Sequence, residues 1–287
     1  MKIPATIRAA FWWNRNGIRG KAAIPKALGR LRGGTGLYIR TRSGGKLSVD
    51  HDNLDVYAYI YNSGGHWDAT IMNICERLLR PGDVYYDIGA NTGIFSIDAA
   101  YAIRDLRVYC FEPQPTLARN IKRSIDANGF DQVRCVECLL GPEDGERALY
   151  LTSHSIHASI VPRESRFERI NVRMRSLDSL VRSQEITPPD IMKMDVEGSE
   201  IEVLMGAREI VAANEPSIIF EADENLLRVN KKVEDVLGCV NAIAPYQILK
   251  INEDGGLSSV EGRPSYGNYL ALAPKHVARL LDRRDVR

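Results

Sequence analysis

Four apolar stretches, VYYDIG (84–89), RVYCFEP (107–113), DIMKMDVEG (190–198) and SIIFEAD (217–223), each carry an acid at their end and run into a helical pattern. That alternation constrains the fold more than any other feature. Continuous apolar strands separated by helix-length crossovers pair in parallel, because each crossover buries its helix against a face of the sheet. The helices read as 93–103, 115–128, 199–213 and near 227–240. QVRCVECLL (132–140) is a third strand, GPEDGERALYLT a turn and a further strand, and NVRMRSLDSLV a strand with a short helix. YQILKI and NYLALA close the chain as antiparallel strands. Upstream, LYIRTRSGGKLSVDHDN reads as a hairpin about Ser43-Gly44-Gly45, and a helical stretch near 66–80 stops at Pro81-Gly82.

Composition narrows the class. With 44% apolar and 26% charged residues, and no run near the roughly 20 apolar residues of a membrane helix, a soluble globular chain is expected. Five scattered cysteines exclude a disulfide framework, and the start lacks the apolar core of a secretory signal, so a cytoplasmic location is expected. The net charge of +1 hides an asymmetry: residues 1–49 hold eleven of the 38 basic residues and no acid, leaving 27 basic against 37 acidic residues. The division expected is a basic arm (1–50), a lid or substrate-facing lead segment (51–80) and a cofactor-binding domain (81–287). In the arm, Phe11, Trp12 and Trp13 lie beside Arg8, Arg15 and Arg19. That suits peripheral contact with an anionic membrane surface, a transit-like segment, or an arm packing its aromatics on the body.

In parallel sheets ligands bind beyond the carboxyl ends of the strands, so the residues at those ends matter most. The first loop, Gly89-Ala90-Asn91-Thr92-Gly93, fails the dinucleotide fingerprint: the second and third glycines would fall at Asn91 and Ile94. It also lacks the Lys and Ser/Thr of a phosphate-cradling loop. Glu112, 25 positions after Asp87 at the next strand end, has the place of an acid that accepts a ribose diol. A nucleoside without pyrophosphate, carrying positive groups for the carboxylates, fits both; S-adenosylmethionine has those properties. Asp87 would then face its ammonium, although it could equally cap the following helix, and Glu112 could be a surface acid.

PGDVYYDIGANTGIFSIDAA, VYCFEPQP, IMKMDVEGSEIEVLMGA and PSIIFEAD together resemble the FkbM-type methyltransferases over roughly residues 80 to 275. That family uses S-adenosylmethionine, mostly to methylate hydroxyl groups of sugars and of polyketide or other natural products. The resemblance implies an α/β, Rossmann-like class I methyltransferase fold: a seven-stranded, mostly parallel sheet with helices on both faces and an antiparallel last strand. By position it places Asp87, Gly89, Ala90, Asn91, Thr92 and Gly93 on the methionine side. Glu112 and Pro113 fall at the ribose and Leu139 near the adenine. Thr92 departs from the usual Ile or Val, and the arm and the 51–80 region match only loosely.

Methyl transfer is an in-line displacement, so the acceptor oxygen must be held about 3 to 3.5 Å from the methyl carbon. A base assists an alcohol acceptor, and Asp195, at a strand end, is the first choice. Lys193, two residues earlier on the same strand face, would orient it. Glu197, Glu200 and Glu221 crowd the same rim, where repulsion can raise a pKa; Glu197 to Glu200 could also serve the start of the next helix. No compact spacing singles out a metal site, and no metal is expected. His154 and His157 lie in a polar loop near Ser159, while His51 and His66 flank the possible lid, where either could act as base. Cys135 and Cys138 point to opposite faces of one strand and cannot share a zinc ion. A small-molecule or glycan acceptor is expected. A nucleic-acid methyltransferase guided by the arm lacks an Asn-Pro-Pro-Tyr block and has a net-acidic body. A non-catalytic binding protein would show damage in the cofactor loop.

Overall fold

The computed structural model describes residues 37–50, 53–151, 158–160 and 168–281. The basic arm up to residue 36, with Phe11, Trp12 and Trp13, lies outside them, as do His51, His154 and His157. No helix among the described residues is long and apolar enough to cross a membrane.

The expected hairpin forms: β1 (Tyr38–Arg40) pairs antiparallel with β2 (Lys46–Ser48). Helices α1 (Leu54–Asn62) and α2 (Ala69–Leu78) follow. Asp68 caps α2 by accepting the Ile71 N–H at 2.9 Å, and Ile71, Ile74, Cys75 and Leu78 form its buried stripe. The hairpin and the lead segment pack into the body. Leu47, Tyr57, Ile60 and Leu78 are fully buried in one core with the main sheet.

Then comes the alternation: β3 (Val84–Ile88), α3 (Ile94–Ala102), β4 (Arg107–Phe111), α4 (Pro115–Asn128) and β5 (Val133–Val136). Gly129, at φ +66°, ends α4. The outer faces of α4 hold the hairpin: Ser48 N–H donates to Ser124 Oγ at 2.9 Å, and Asn128 exchanges two 2.8 Å bonds with the Lys46 backbone.

After β5 the expected single strand over 132–140 divides. Leu139–Leu140 forms β6 in a second sheet with β7 (Gly145–Leu151), β8 (Ala158–Ser159) and β9 (Glu168–Arg175), ordered β6-β9-β7-β8. The chain steps between sheets at Glu137 and Cys138, so Cys135 packs with the core on one face of the main sheet and Cys138 with that on the other. Both thiols are free.

Helix α5 (Leu177–Arg182) leads to β10 (Ile191–Met194), and the helix expected over 199–213 is two: α6 (Glu200–Met205) and α7 (Arg208–Asn214). At the break the backbone packs on Gly141 and Asp178 caps a new helix start. A Cβ at Gly206 would lie 2.0 Å from the Gly141 carbonyl oxygen, and the Asp178 carboxylate takes the Glu209 and Ile210 N–H groups at 3.0 Å each. Then follow β11 (Ser217–Ala222), a 3₁₀ turn over Glu224–Val229, α8 (Val233–Ile243), β12 (Gln247–Ile251), β13 (Leu257–Ser259), β14 (Gly267–Leu272) and α9 (Val277–Leu281).

The main sheet has eight strands, one more than expected, in the order β13-β12-β14-β11-β10-β3-β4-β5. The five from β11 to β5 are parallel; β14 runs against them, β12 again runs with them and β13 runs against, each of these three pairing antiparallel with its neighbours. The additional strand is the short hairpin arm β13. From β3 the chain winds outward to β5 and returns to β10 on the other side of β3, which makes β3/β10 the switch point where ligands bind such sheets.

Because the lead hairpin shares the main core, Leu47→Ala should lower stability by about 2 to 5 kcal/mol, read as a shift of the urea midpoint. An unchanged midpoint would place the hairpin outside the cooperative unit.

Candidate active site

At the carboxyl end of β3 the chain turns on three left-handed residues, Gly89 (φ +74°), Asn91 (φ +54°) and Gly93 (φ +79°). Only glycine fits the first, since a Cβ there would lie 1.9 Å from the Asp195 carbonyl oxygen. Gly89 and Ala90 N–H groups donate to the Phe111 carbonyl at 3.1 and 3.0 Å, tying the turn to β4. Gly93 then caps α3.

Asp87 does not face the crevice. Its Oδ2 accepts Ser96 Oγ–H at 2.6 Å and Ser96 N–H at 3.2 Å, serving the first turn of α3 from within the sheet. Its Oδ1 makes no hydrogen bond and lies 3.5 Å from Lys193 Nζ. The reason is strand alternation: Ile88 reaches the crevice and Asp87 points to the opposite face.

Glu112, just past β4, is buried. Its Oε2 accepts the Asn91 N–H at 2.8 Å and its Oε1 the Gln114 N–H at 2.9 Å, so both oxygens are fixed. Burial pushes its pKa up to about 7, against the pull of those two N–H groups.

Lys193 sits opposite Asp87 in the β3/β10 register. Its Nζ lies 3.5 Å from Asp87 Oδ1, 3.5 Å from Asp195 Oδ2 and 3.4 Å from the Gly89 carbonyl, with the Phe95 ring centroid at 4.7 Å. Burial alone would pull the ammonium's pKa down, but the charges of Asp195 and Asp87 outweigh it and hold it above the ordinary lysine value. Burial, then the charges of Asp195, Asp223 and Glu197, push Glu221 up to about 8. Glu200 rises to about 7, chiefly through burial, and its Oε2 makes no hydrogen bond. Glu197 adopts φ +56° and accepts Asn225 Nδ2–H at 2.6 Å.

A cavity of about 290 Å³ lies at these strand ends. Gly89 and Asn91 lie on one side of it and Glu112 and Pro113 on another; Leu139 is part of an apolar wall with Ile88, Phe111, Leu149 and Ile160; and Asp195, Glu197 and Glu221 form an acidic rim. Asp87, Ala90, Thr92 and Gly93, expected to line it, do not; they shape the turn and the helix start behind it. Lys193 lines instead an adjoining chamber of about 100 Å³, which shares Trp67, Asp195 and Glu221 with the first. His66 lines neither; its Nδ1 lies 2.8 Å from the Ser63 carbonyl. Ser159 pairs with Tyr150 in the small sheet. Sequence reasoning missed Trp67, Leu149 and Ile160. They come from segments outside the βα alternation, and the one signal available was a tryptophan in a polar connection.

Residues 87–242, more than half of the chain, match the family model described as the methyltransferase FkbM domain. A stretch of 125 residues is 30% identical to the hexuronic acid methyltransferase AglP of Haloferax volcanii, covering 43% of this chain and 49% of that protein. Over 181 residues the chain is 26% identical to methyltransferase sdnD of Sordaria araneosa, covering 49% and 70% of the two. Over 165 residues it is 26% identical to the 31-O-demethyl-FK506 methyltransferase FkbM of Streptomyces tacrolimicus, covering 46% and 62%. The matches thus span from about half to about 70% of these relatives. Among solved structures, the methyltransferase FkbM of Methylobacillus flagellatus aligns with a TM-score of 0.43 and 18% identity, covering 77% of this chain and 55% of that one.

The raised Glu221 pKa has a measurable sign. The folded protein keeps a proton that the unfolded chain releases, so this group takes stability away as pH rises from 4.5 to about 8. Between those values the Tm of Glu221→Gln should gain steadily on the wild type and then run level above them. A difference that is constant with pH would place the proton elsewhere.

Proposed function

We propose that this chain, which belongs to the FkbM methyltransferase family, is an S-adenosylmethionine-dependent O-methyltransferase that acts on a hydroxyl group of a sugar, glycan or other natural product. The observation that carries the reading is Glu112. Its two carboxylate oxygens are each fixed by a backbone N–H group, and the residue lines a cavity with apolar walls and an acidic rim.

The residues present fit that cofactor. Glu112 would hold the ribose hydroxyls, and Phe111, Leu139 and Leu149 supply apolar surface for adenine. Gly89 lets the turn pack directly on the Asp195 carbonyl at the edge of the cavity, which any Cβ would prevent. Asp195 and Glu197 suit positive charge, and no pyrophosphate-binding glycine or lysine intrudes. Bound there, S-adenosylmethionine supplies an electrophilic methyl group carried on a sulfonium.

The chain's own part is positioning and proton handling. Asp195, at the junction of the two chambers, accepts the proton that the acceptor hydroxyl loses. Lys193 holds that carboxylate in place from 3.5 Å and is itself anchored by Asp87. Glu221, protonated at neutral pH, can donate a hydrogen bond at the rim. The apolar wall from the small sheet limits water at the reaction centre. Relatives named as a hexuronic acid methyltransferase and a 31-O-demethyl-FK506 methyltransferase support a glycan or natural-product acceptor.

Calorimetry with S-adenosylhomocysteine tests the cofactor site. Glu112→Gln should raise Kd about tenfold to a hundredfold, because its amide would face two backbone donors. Failure of the wild type to bind would overturn the reading. Asp195→Asn should keep Kd within about threefold and lower kcat on the order of a hundredfold, measured by labelled methyl transfer to a panel of hexosides and macrolides. Wild-type kcat in that variant would eliminate Asp195 as the base.

A further inference from the structure

We infer that the second chamber is the acceptor subsite, and that Trp67 and the chamber's carboxyl groups select uncharged polyhydroxyl rings over carboxylate-bearing ones. This rests on the methyltransferase reading above.

The chamber lies between α2 and the ends of β10, β11 and β14. Ile71, Phe95, Ile219 and Phe220 give it apolar walls, and Asp68 and Asn268 add polar edges. It adjoins the larger cavity through Trp67, Asp195 and Glu221, which line both. An in-line transfer needs donor and acceptor on opposite sides of the moving carbon. Two chambers that meet at the proton-accepting carboxylate provide that arrangement.

Charge decides what the chamber admits. Asp68 and Asp195 bring two carboxylates to its lining beside the protonated Glu221, and Lys193, the one cation lining it among the described residues, already lies 3.5 Å from two carboxylates. An acceptor carboxylate would meet like charge with no uncommitted counter-ion, a repulsive device of the kind that sets specificity. A neutral ring meets hydrogen-bonding groups instead.

Trp67 supplies the stacking surface. Its ring is half-buried and braced edge-on by Tyr59, with centroids 5.5 Å apart at 78°, and Tyr59 is itself 55% exposed. A flat aromatic wall beside carboxyl and amide groups suits a ring with one apolar face and a polar edge. Asp68, by capping α2, holds the start of that helix beside Trp67.

Saturation-transfer NMR on the full chain, saturated with S-adenosylhomocysteine, tests this with methyl hexopyranosides and the matching hexuronates as probes. The wild type should bind a neutral glycoside at least about tenfold more tightly than its uronate. Trp67→Ala should weaken the neutral glycoside about tenfold while Trp67→Phe retains it. Asp68→Asn, which keeps the cap, should narrow the gap between the probes. Kd for S-adenosylhomocysteine, measured calorimetrically, should stay within about threefold in Asp68→Asn, since Asp68 lines the second chamber and not the larger cavity. Equal or tighter uronate binding, no glycoside binding by the cofactor-bound wild type, or unchanged binding in Trp67→Ala would overturn the inference. So would a matching loss of S-adenosylhomocysteine affinity in Asp68→Asn, which would assign the chamber to the cofactor. A wild type that binds no S-adenosylhomocysteine would instead overturn the methyltransferase reading beneath it.

Discussion

One buried ammonium holds the site together. Lys193 Nζ lies 3.5 Å from Asp87 on one side and 3.5 Å from Asp195 on the other. Unpaired, an ammonium in this core would cost several kcal/mol, so both carboxylates must stay close. Asp87 in turn engages Ser96 at the start of α3, and Asp195 continues from the end of β10 past Gly89. The cofactor turn, the helix behind it and the proposed base are therefore linked through a single cation at the β3/β10 switch point.

The same strand ends gather more acid than one lysine neutralises. Asp195, Glu197 and Glu221 share the rim, with Asp223 and the buried Glu200 near enough to act on it electrostatically. Burial, with repulsion from Asp195 and Asp223 added, raises Glu200 to about 7 and Glu221 to about 8. The Asp195 and Glu197 carboxylates at the cavity rim suit a cationic ligand, and the family's cofactor carries two positive groups. Glu112 stands apart from this cluster: two backbone N–H groups fix its oxygens, so it is an oriented acceptor rather than a member of the acidic rim.

Much of this was legible in the chain. The apolar strands ending in acids implied the parallel block, and Glu112, Asp195 and Glu221 reach the cavity as their positions at strand ends suggested. Gly89, Asn91, Pro113, Glu197 and Leu139 do so too. Asp87 shows the limit of such reading. Its spacing from Glu112 matched a ligand-facing acid, yet alternation turns it into the sheet, where it serves α3 and Lys193. The strand over 132–140 and the helix over 199–213 each divided where a contact remote in sequence intervened: the small sheet captured Leu139–Leu140, and the Gly141 carbonyl crowded Gly206.

By itself the sequence determined the local and periodic features: which segments are strands, which turn needs glycine, and which acids end the parallel strands. These follow from side-chain periodicity and backbone sterics, which act within a few residues. Tertiary structure alone decided that Lys193 pairs with two carboxylates, that the wall over the cavity comes from a second sheet, and that Trp67 stands where two chambers meet. Those depend on register and packing between segments tens to more than a hundred residues apart, and no local pattern encodes which side chains such packing brings within a few ångströms.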